Sequence, residues 1–392
     1  MNQRYYSLDV FRGATVALMI LVNNPGSWEH IYAPLKHAPW HGCTPTDLVF
    51  PFFLFAVGNA MAFVIPKMEE KGTTYFISKL FKRASLIFLI GLFLNWSPFV
   101  MWQNDHLVLK GWEWVTGDGA VHGIRILGVL QRIALCYLFA GLIIYFLKPK
   151  GAAIASVIIL LLYWWLCKFF GDAAGPYSMN GYFGVALDKA VLAEPHMYHG
   201  EGVAFDPEGL ASTLAAIVQV IFGYFAGWYI RQKGKTSTML KGLLVAGIIC
   251  IGIGLLWSLA FPINKKIWTS SYVVYTSGLA VCVLAVFIYI IEFINLRAVW
   301  SRFFDVFGKN PLFIFCLSGF LPRVLGLISI SNGVSADGKP MYLSPFGWFY
   351  EHICKNISAD LRNGSLLYAI CMLVFYWVIA WWLNKKKIYI KV

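Results

Sequence analysis

The densest group of potentially reactive side chains in this chain comes early. Asn23-Asn24-Pro25-Gly26 is followed by Lys36-His37-Ala38-Pro39-Trp40-His41-Gly42, and then by Thr44-Pro45-Thr46-Asp47. A histidine that titrates near neutral pH can take a proton from an attacking amine or hydroxyl, and a carboxylate can fix its tautomer. His37 and Asp47 suit such a pair. The same residues also fit an architectural reading, in which Asp47 or Thr46 caps a helix and His37 is an interfacial loop residue. His37 and His41 are spaced as zinc ligands on a helix would be. Pro39 lies between them and breaks the helix that this spacing needs, so no metal site is expected.

A second group is Arg125-Ile126-Leu127-Gly128-Val129-Leu130-Gln131-Arg132. Residues seven apart share a face of a continuous helix, which would align Arg125 and Arg132. Arg132 would then lie about two turns deeper in an apolar run, where an unpaired charge is expensive. Guanidinium pairs suit a phosphate or carboxylate ligand. An ion pair with an acid from a loop is the alternative. Asp9 and Arg12 are spaced to pair with one another at i,i+3. Gly308-Lys309-Asn310-Pro311 offers either a breakable helix start where a cofactor could enter or a plain kink. Arg323, after Pro322, is another charge in an apolar run.

The elements that must position these groups are membrane spans. Hydrophobic residues make up 59% of the 392 and charged ones 13%, against about 25% charged in soluble domains. That excludes a soluble enzyme, a disordered chain and a fibrous repeat. Apolar runs near the ~20 residues that cross a bilayer fall at about 8–24, 47–66, 84–104, 124–147, 152–170, 209–230, 242–261, 271–292, 306–330 and 366–384. The expectation is an all-α polytopic membrane protein, a single domain over 1–392 with about ten transmembrane helices.

With both termini in the cytoplasm, nineteen of the 32 Lys+Arg fall on the inner side and nine on the outer. That agrees with the positive-inside rule and accounts for the net charge of +13 without nucleic acid. All eight histidines then face outward, as do the long loops at about 25–46, 105–123, 171–208 and 331–365. Long loops carry function more often than short ones, so polar substrate chemistry is expected on the outer face. The first residues do not read as a cleavable signal: Asp9 is present and no small-residue cleavage site follows.

The succession SLDVFRG, LMILVNNPG, LKHAPWHGCTPTDLVFPFFLFAVG and RILGVLQRIALCY resembles the heparan-alpha-glucosaminide N-acetyltransferase family and its bacterial relatives, over nearly the whole chain. The resemblance implies a transmembrane acyltransferase-type bundle, here in a bacterial inner membrane, that transfers acetyl from cytosolic acetyl-CoA to a glucosamine across the membrane. The family's lysosomal member has a further N-terminal span and a lumenal region, without which a cytoplasmic start is expected.

By resemblance, His37 matches the active-site histidine, Asn23 an asparagine of the site and Asp47 the aspartate that follows. Arg125, Gln131 and Arg132 match a stretch suited to cofactor binding or site structure. Asn310, which no family motif covers, is a candidate contact to acetyl-CoA from its place in the breakable helix start. The implied mechanism has His37 as general base or as acyl carrier. Asp47 would orient it, and Asn23 would hydrogen-bond the thioester oxygen. The implied partners are the bilayer, acetyl-CoA, an amino sugar or glycan acceptor, and a second copy of the chain as a homodimer. His41 departs from the lysosomal enzyme, and the outer loops differ, so the acceptor need not be heparan sulfate. Weaker similarity links the chain to O-acyltransferases of surface glycans. An amino-sugar transporter using the same polar cavity is a further alternative.

Overall fold

Proline and glycine decide where the apolar runs become separate helices. In the computed structural model, which describes residues 5–103, 106–116, 119–335, 338 and 340–390, α1 spans Tyr6–Asn23. A 3-10 turn, Pro45–Leu48, leads into α2, Val49–Glu69, and α3 runs Thr73–Trp96. The helix α4, Val129–Phe170, is broken in its middle, where Lys148 takes φ 57° and ψ 176° ahead of Pro149. Proline forces its predecessor out of helical dihedrals and supplies no N–H. A short α5, Gly184–Leu192, follows. Then come α6, Leu210–Lys233; α7, Ser237–Trp257; and α8, Ser270–Ile288. The helices α9, Val299–Lys309, and α10, Pro311–Leu325, meet at Asn310 with a 77° bend. After a five-residue α11, Pro345–Phe349, the chain closes with α12, Leu361–Lys385.

Among the described residues, seven helices are long and apolar enough to cross a membrane, or eight when the bent α9–α10 pair counts as one span. The protein is a mostly helical integral membrane protein. The long connections carry short strands, and two expectations about the helices need correction. Antiparallel hairpins pair β1 (Val100–Gln103) with β2 (His106–Leu109), β3 (Glu113–Val115) with β4 (Val121–Gly123), and β5 (Ile330–Val334) with β6 (Pro340–Leu343). The run at 84–104 is displaced: its helix begins at Thr73 and stops at Trp96, ahead of Pro98, and residues 100–103 form a strand. The run at 124–147 becomes helical only at Val129, so Arg125 lies in an extended stretch and shares no helix face with Arg132. That stretch is drawn off the helix by pairing of the Ile126 amide with the His196 carbonyl (3.1 Å). Of the cations counted by side, Arg4, Lys339 and Lys391 lie outside the described residues.

Glycines bring the central helices to backbone contact. A Cβ at Gly58 of α2 would lie 1.8 Å from the Val220 carbonyl oxygen of α6, and one at Gly223 would lie 2.0 Å from that of Phe55. At the other crossing, Gly13 of α1 faces the Phe304 carbonyl of α9 and Gly308 faces that of Asp9. Small residues at such crossings are how helices associate tightly in lipid. The long connections gather at one end of the bundle. There Gly42 N–H donates to the Ile263 carbonyl (2.8 Å), Trp40 Nε1 to that of Tyr177 (2.8 Å), and Gly26 N–H to that of Ser365 (3.3 Å).

Candidate active site

The loop before α2 is built around one carboxylate. Thr44 and Asp47 form a capping box on the 3-10 turn, the reciprocal arrangement that satisfies exposed amides at a helix start. Asp47 Oδ2 accepts from the Ala38 amide, the Thr44 amide and the Thr44 hydroxyl, each at 3.0 Å. Its Oδ1 lies 2.6 Å from His37 Nδ1. The Asp47 side chain is 1% exposed, whereas that of His37 is 42% exposed. An ionised carboxylate only accepts. Nδ1 therefore carries the ring hydrogen toward Asp47, and Nε2 keeps its lone pair. The Tyr272 hydroxyl of α8 donates to the Asp47 carbonyl (2.6 Å) and ties the turn to the bundle.

His37 opens onto a cavity of about 190 Å³ whose wall also includes Asn23, Thr46, Glu208 and Lys265. Asn23 is there because α1 ends at it. Phe53 and Ile133 form the far wall and also bound a second cavity of about 130 Å³, lined by Arg12 and Arg83. That cavity shares Arg12, Ala56, Ala60 and Val64 with a third, of about 390 Å³, which reaches Asp9 and Lys67. Three cavities thus follow one another along the bundle, from the His37 end to a basic rim at the opposite end.

The remaining predicted residues are placed unevenly. Arg125 makes a two-pronged ion pair with Asp206 (2.6 and 3.0 Å) and reaches Glu208 at 2.5 Å. Burial works against its charge, but the Glu208 and Asp206 carboxylates outweigh that and raise its pKa above the ordinary arginine value. Its contact with the cavity therefore runs through Glu208. Arg132 is fully buried. It donates to the Gly209 carbonyl (3.1 Å) and the Ser212 hydroxyl, and its guanidinium lies 5.1 Å from the Trp268 ring. Gln131 is buried against Gly91, where a Cβ would come within 2.5 Å of its Oε1. Asn310 is not brought to this group. Its side chain donates to the Ile388 carbonyl (2.9 Å) and accepts from the Ile390 amide (2.8 Å), fastening the C-terminal segment. Arg12 donates to Asp9 (2.7 Å) and to the Gly308 carbonyl (2.6 and 3.0 Å).

Two residues of the site escaped the sequence reading. Lys265 Nζ lies 3.6 Å from Asp47 Oδ1 and 3.2 Å from His37 Nδ1. Glu208 lines the same cavity. In sequence, Lys265 registers only as one of two lysines in a loop, and Glu208 as one acid in Asp-Pro-Glu-Gly. Neither carries a local signal.

A family model described as "Heparan-alpha-glucosaminide N-acetyltransferase, catalytic" matches residues 4–180, which include the whole His37–Asp47 loop and the Arg125–Arg132 stretch. The chain is similar to the heparan-alpha-glucosaminide N-acetyltransferases. The human protein of that name is 26% identical over 96% of this chain, and the mouse protein 24% identical over 99%. The chain spans about 60% of the length of these two acetyltransferases. Lys265, Glu208 and Asn310 lie beyond the matched catalytic region but within the reach of the full-length similarity.

Proposed function

We propose that the protein is a membrane acyltransferase that moves an acetyl group from cytosolic acetyl-CoA to the amine of an amino sugar or glycan on the outer face. The observation that carries this reading is a histidine–carboxylate pair opening onto a cavity that continues, past Phe53 and Ile133, toward Arg12, Arg83 and Lys67. The basic rim suits phosphates, and the apolar passage suits an uncharged pantetheine arm. Counting the two halves of α4 separately and adding α3, whose first half carries Lys79, Lys82 and Arg83, raises eight spans to ten. The ten-span count and the charge asymmetry together favour cytoplasmic termini and an outward-facing His37.

Acetyl-CoA supplies an activated thioester. His37 Nε2 takes the proton of the acceptor amine as its nitrogen attacks the thioester carbonyl, and Asp47 holds the imidazole in the tautomer that can do so. Asn23 donates its amide hydrogen to the carbonyl oxygen as charge develops there. The new C–N bond replaces the C–S bond, and His37 returns the proton to the departing thiolate.

The test is transfer of labelled acetyl from acetyl-CoA to glucosamine, glucosamine-ended glycans and peptidoglycan fragments. It uses purified protein in liposomes and compares wild type with His37→Ala. Product from the wild type and none from a folded His37→Ala supports the reading. Transfer that survives the substitution removes His37 from the chemistry. Absence of product with every acceptor, together with counterflow of labelled sugar, would replace the enzyme with a transporter.

A further inference from the structure

Lys265 stands in the connection between α7 and α8, on a turn that leaves it little freedom. Asn264 and Thr269 are both fully buried. The Asn264 amide donates to Thr269 Oγ1 (3.1 Å), the Thr269 amide to the Asn264 carbonyl (3.0 Å), and the Ile267 amide to Asn264 Oδ1 (3.0 Å). Trp268, at φ 50°, closes the turn through its amide to the Lys265 carbonyl (3.1 Å) and packs edge-on against Phe50 of α2 at 5.0 Å. The turn is fastened to the His37 loop by the Gly42–Ile263 hydrogen bond and by Asn264 Nδ2, which lies 3.4 Å from His41 Nδ1. The neighbouring Lys266 points elsewhere, to Glu201 at 2.5 Å. Two adjacent lysines thus have opposite assignments, and only Lys265 faces the histidine.

A carboxylate alone would favour the imidazolium form of His37 and so consume the base that transfer needs. An ammonium has three donors and no acceptor. Since Nδ1–H already points at Asp47, the 3.2 Å approach of Lys265 Nζ acts on the ring through its charge. It opposes protonation of the ring while balancing the charge of Asp47. Burial pulls the Lys265 pKa below the ordinary lysine value, while the Asp47 and Glu208 carboxylates work against that and favour its charge. Tyr272 of α8 spends its hydroxyl hydrogen on the Asp47 carbonyl. Cys43, in the same loop, is a thiol whose pKa burial and the nearby Asp47 push up to about 12, so it stays neutral. His41, lowered by burial, faces Asn264. Glu208, across the cavity, is engaged by Arg125.

We infer that Lys265 is a positioning residue of this site: its ammonium, set against both members of the His37–Asp47 pair, keeps the imidazole in its neutral, proton-accepting form. The inference rests on the proposed acyl transfer for its purpose, but not for its test. Two readouts are taken on full-length protein in liposomes for wild type, Lys265→Gln, Lys265→Met and Lys265→Arg. Fold is checked by thermal melting, and Gln and Met serve as alternative neutral variants.

The first readout is the pH profile of kcat/KM for acetyl transfer to glucosamine. The second is carbethoxylation of His37 against pH, read by mass spectrometry, since only the neutral ring reacts. In the neutral variants the acidic limb and the His37 titration both move up by about 1–2 pH units, so activity at pH 7 falls about tenfold and recovers in more alkaline buffer. Arg restores both. An unmoved His37 titration in a folded neutral variant overturns the inference, as does an equal shift in the Arg variant. If the wild type transfers no acetyl but the His37 titration still moves, the proposed function fails and this inference stands.

Discussion

Replacing Asp47 with asparagine tests the tautomer argument at the point where it is most specific. An amide side chain has one accepting oxygen and one donating nitrogen. In the native loop Asp47 Oδ2 takes three donors from Ala38 and Thr44, each at 3.0 Å, and Oδ1 takes His37 at 2.6 Å with the Lys265 ammonium 3.6 Å away. The asparagine oxygen settles where three donors converge, which turns its NH2 toward His37 Nδ1. That nitrogen must then accept, and the ring hydrogen moves to Nε2, the nitrogen left for the substrate. A general base contributes about 10²–10⁴-fold, so kcat should fall by that factor, or about 3–5 kcal/mol of barrier. Three of the four hydrogen bonds survive, so the variant should fold and melt within a few degrees of wild type. The assay is single-turnover acetyl transfer in liposomes, alongside thermal melting in detergent. A folded Asp47→Asn protein that keeps about a third or more of the wild-type rate refutes the reasoning.

Arg83→Gln, at the basic rim, should raise the KM for acetyl-CoA several-fold with little change in kcat, and the difference should shrink as salt is added; an unchanged KM removes Arg83 from the phosphate path. Gly223→Leu forces a side chain into the Phe55 carbonyl and should destabilise the α2–α6 contact by about 3 kcal/mol or more, seen as loss of monodisperse protein on size exclusion. Asp188 of α5 is buried against the start of α6, where it accepts from the Leu210 amide (2.8 Å); burial raises its pKa from 3.8 to about 7. Between those values the unfolded chain ionises while the folded one holds its proton, so stability drains away as pH rises through that window. Wild type should therefore melt higher at pH 5 than at pH 8, with the difference reduced in Asp188→Asn; equal slopes in the two proteins would discount this group.

What the sequence made legible follows physical range. The apolar runs announced most helices because a bilayer imposes a length that composition alone reveals. Breaks at Lys148–Pro149 and Asn310–Pro311 could be read because proline acts on its immediate neighbours. The first half of α3 was hidden by Lys79, Lys82 and Arg83, which resemble a loop in any hydropathy scan. The hairpins in the long connections were hidden because strands of three to five residues leave too short an alternation to recognise. The His37–Asp47 contact was foreseeable because ten residues and a helix start separate them. Lys265 was not, because it arrives from 228 residues away, by a turn whose hydrogen bonds leave no trace in local composition. Arg125 was misplaced on a helix for a related reason: its carboxylate partners, Asp206 and Glu208, lie far along the chain.

The partition at Phe53 and Ile133 has an electrical consequence. In the proposed acyl transfer, with catalytic groups at one face and donor entry at the other, a continuous wet passage between the cavities would act as a leak, dissipating any proton gradient the membrane holds. The two shared side chains carry no group that could relay a proton, and an ion stripped of water to pass between them would face a cost of several kcal/mol or more. A neutral thread such as pantetheine faces no such barrier. Under the proposed function the partition would serve as an insulator that yields to the uncharged part of a donor and resists ions, letting chemistry be coupled across the membrane without spending the gradient. Proton flux into liposomes carrying Phe53→Gly should rise above that of wild type, most of all when no donor is bound.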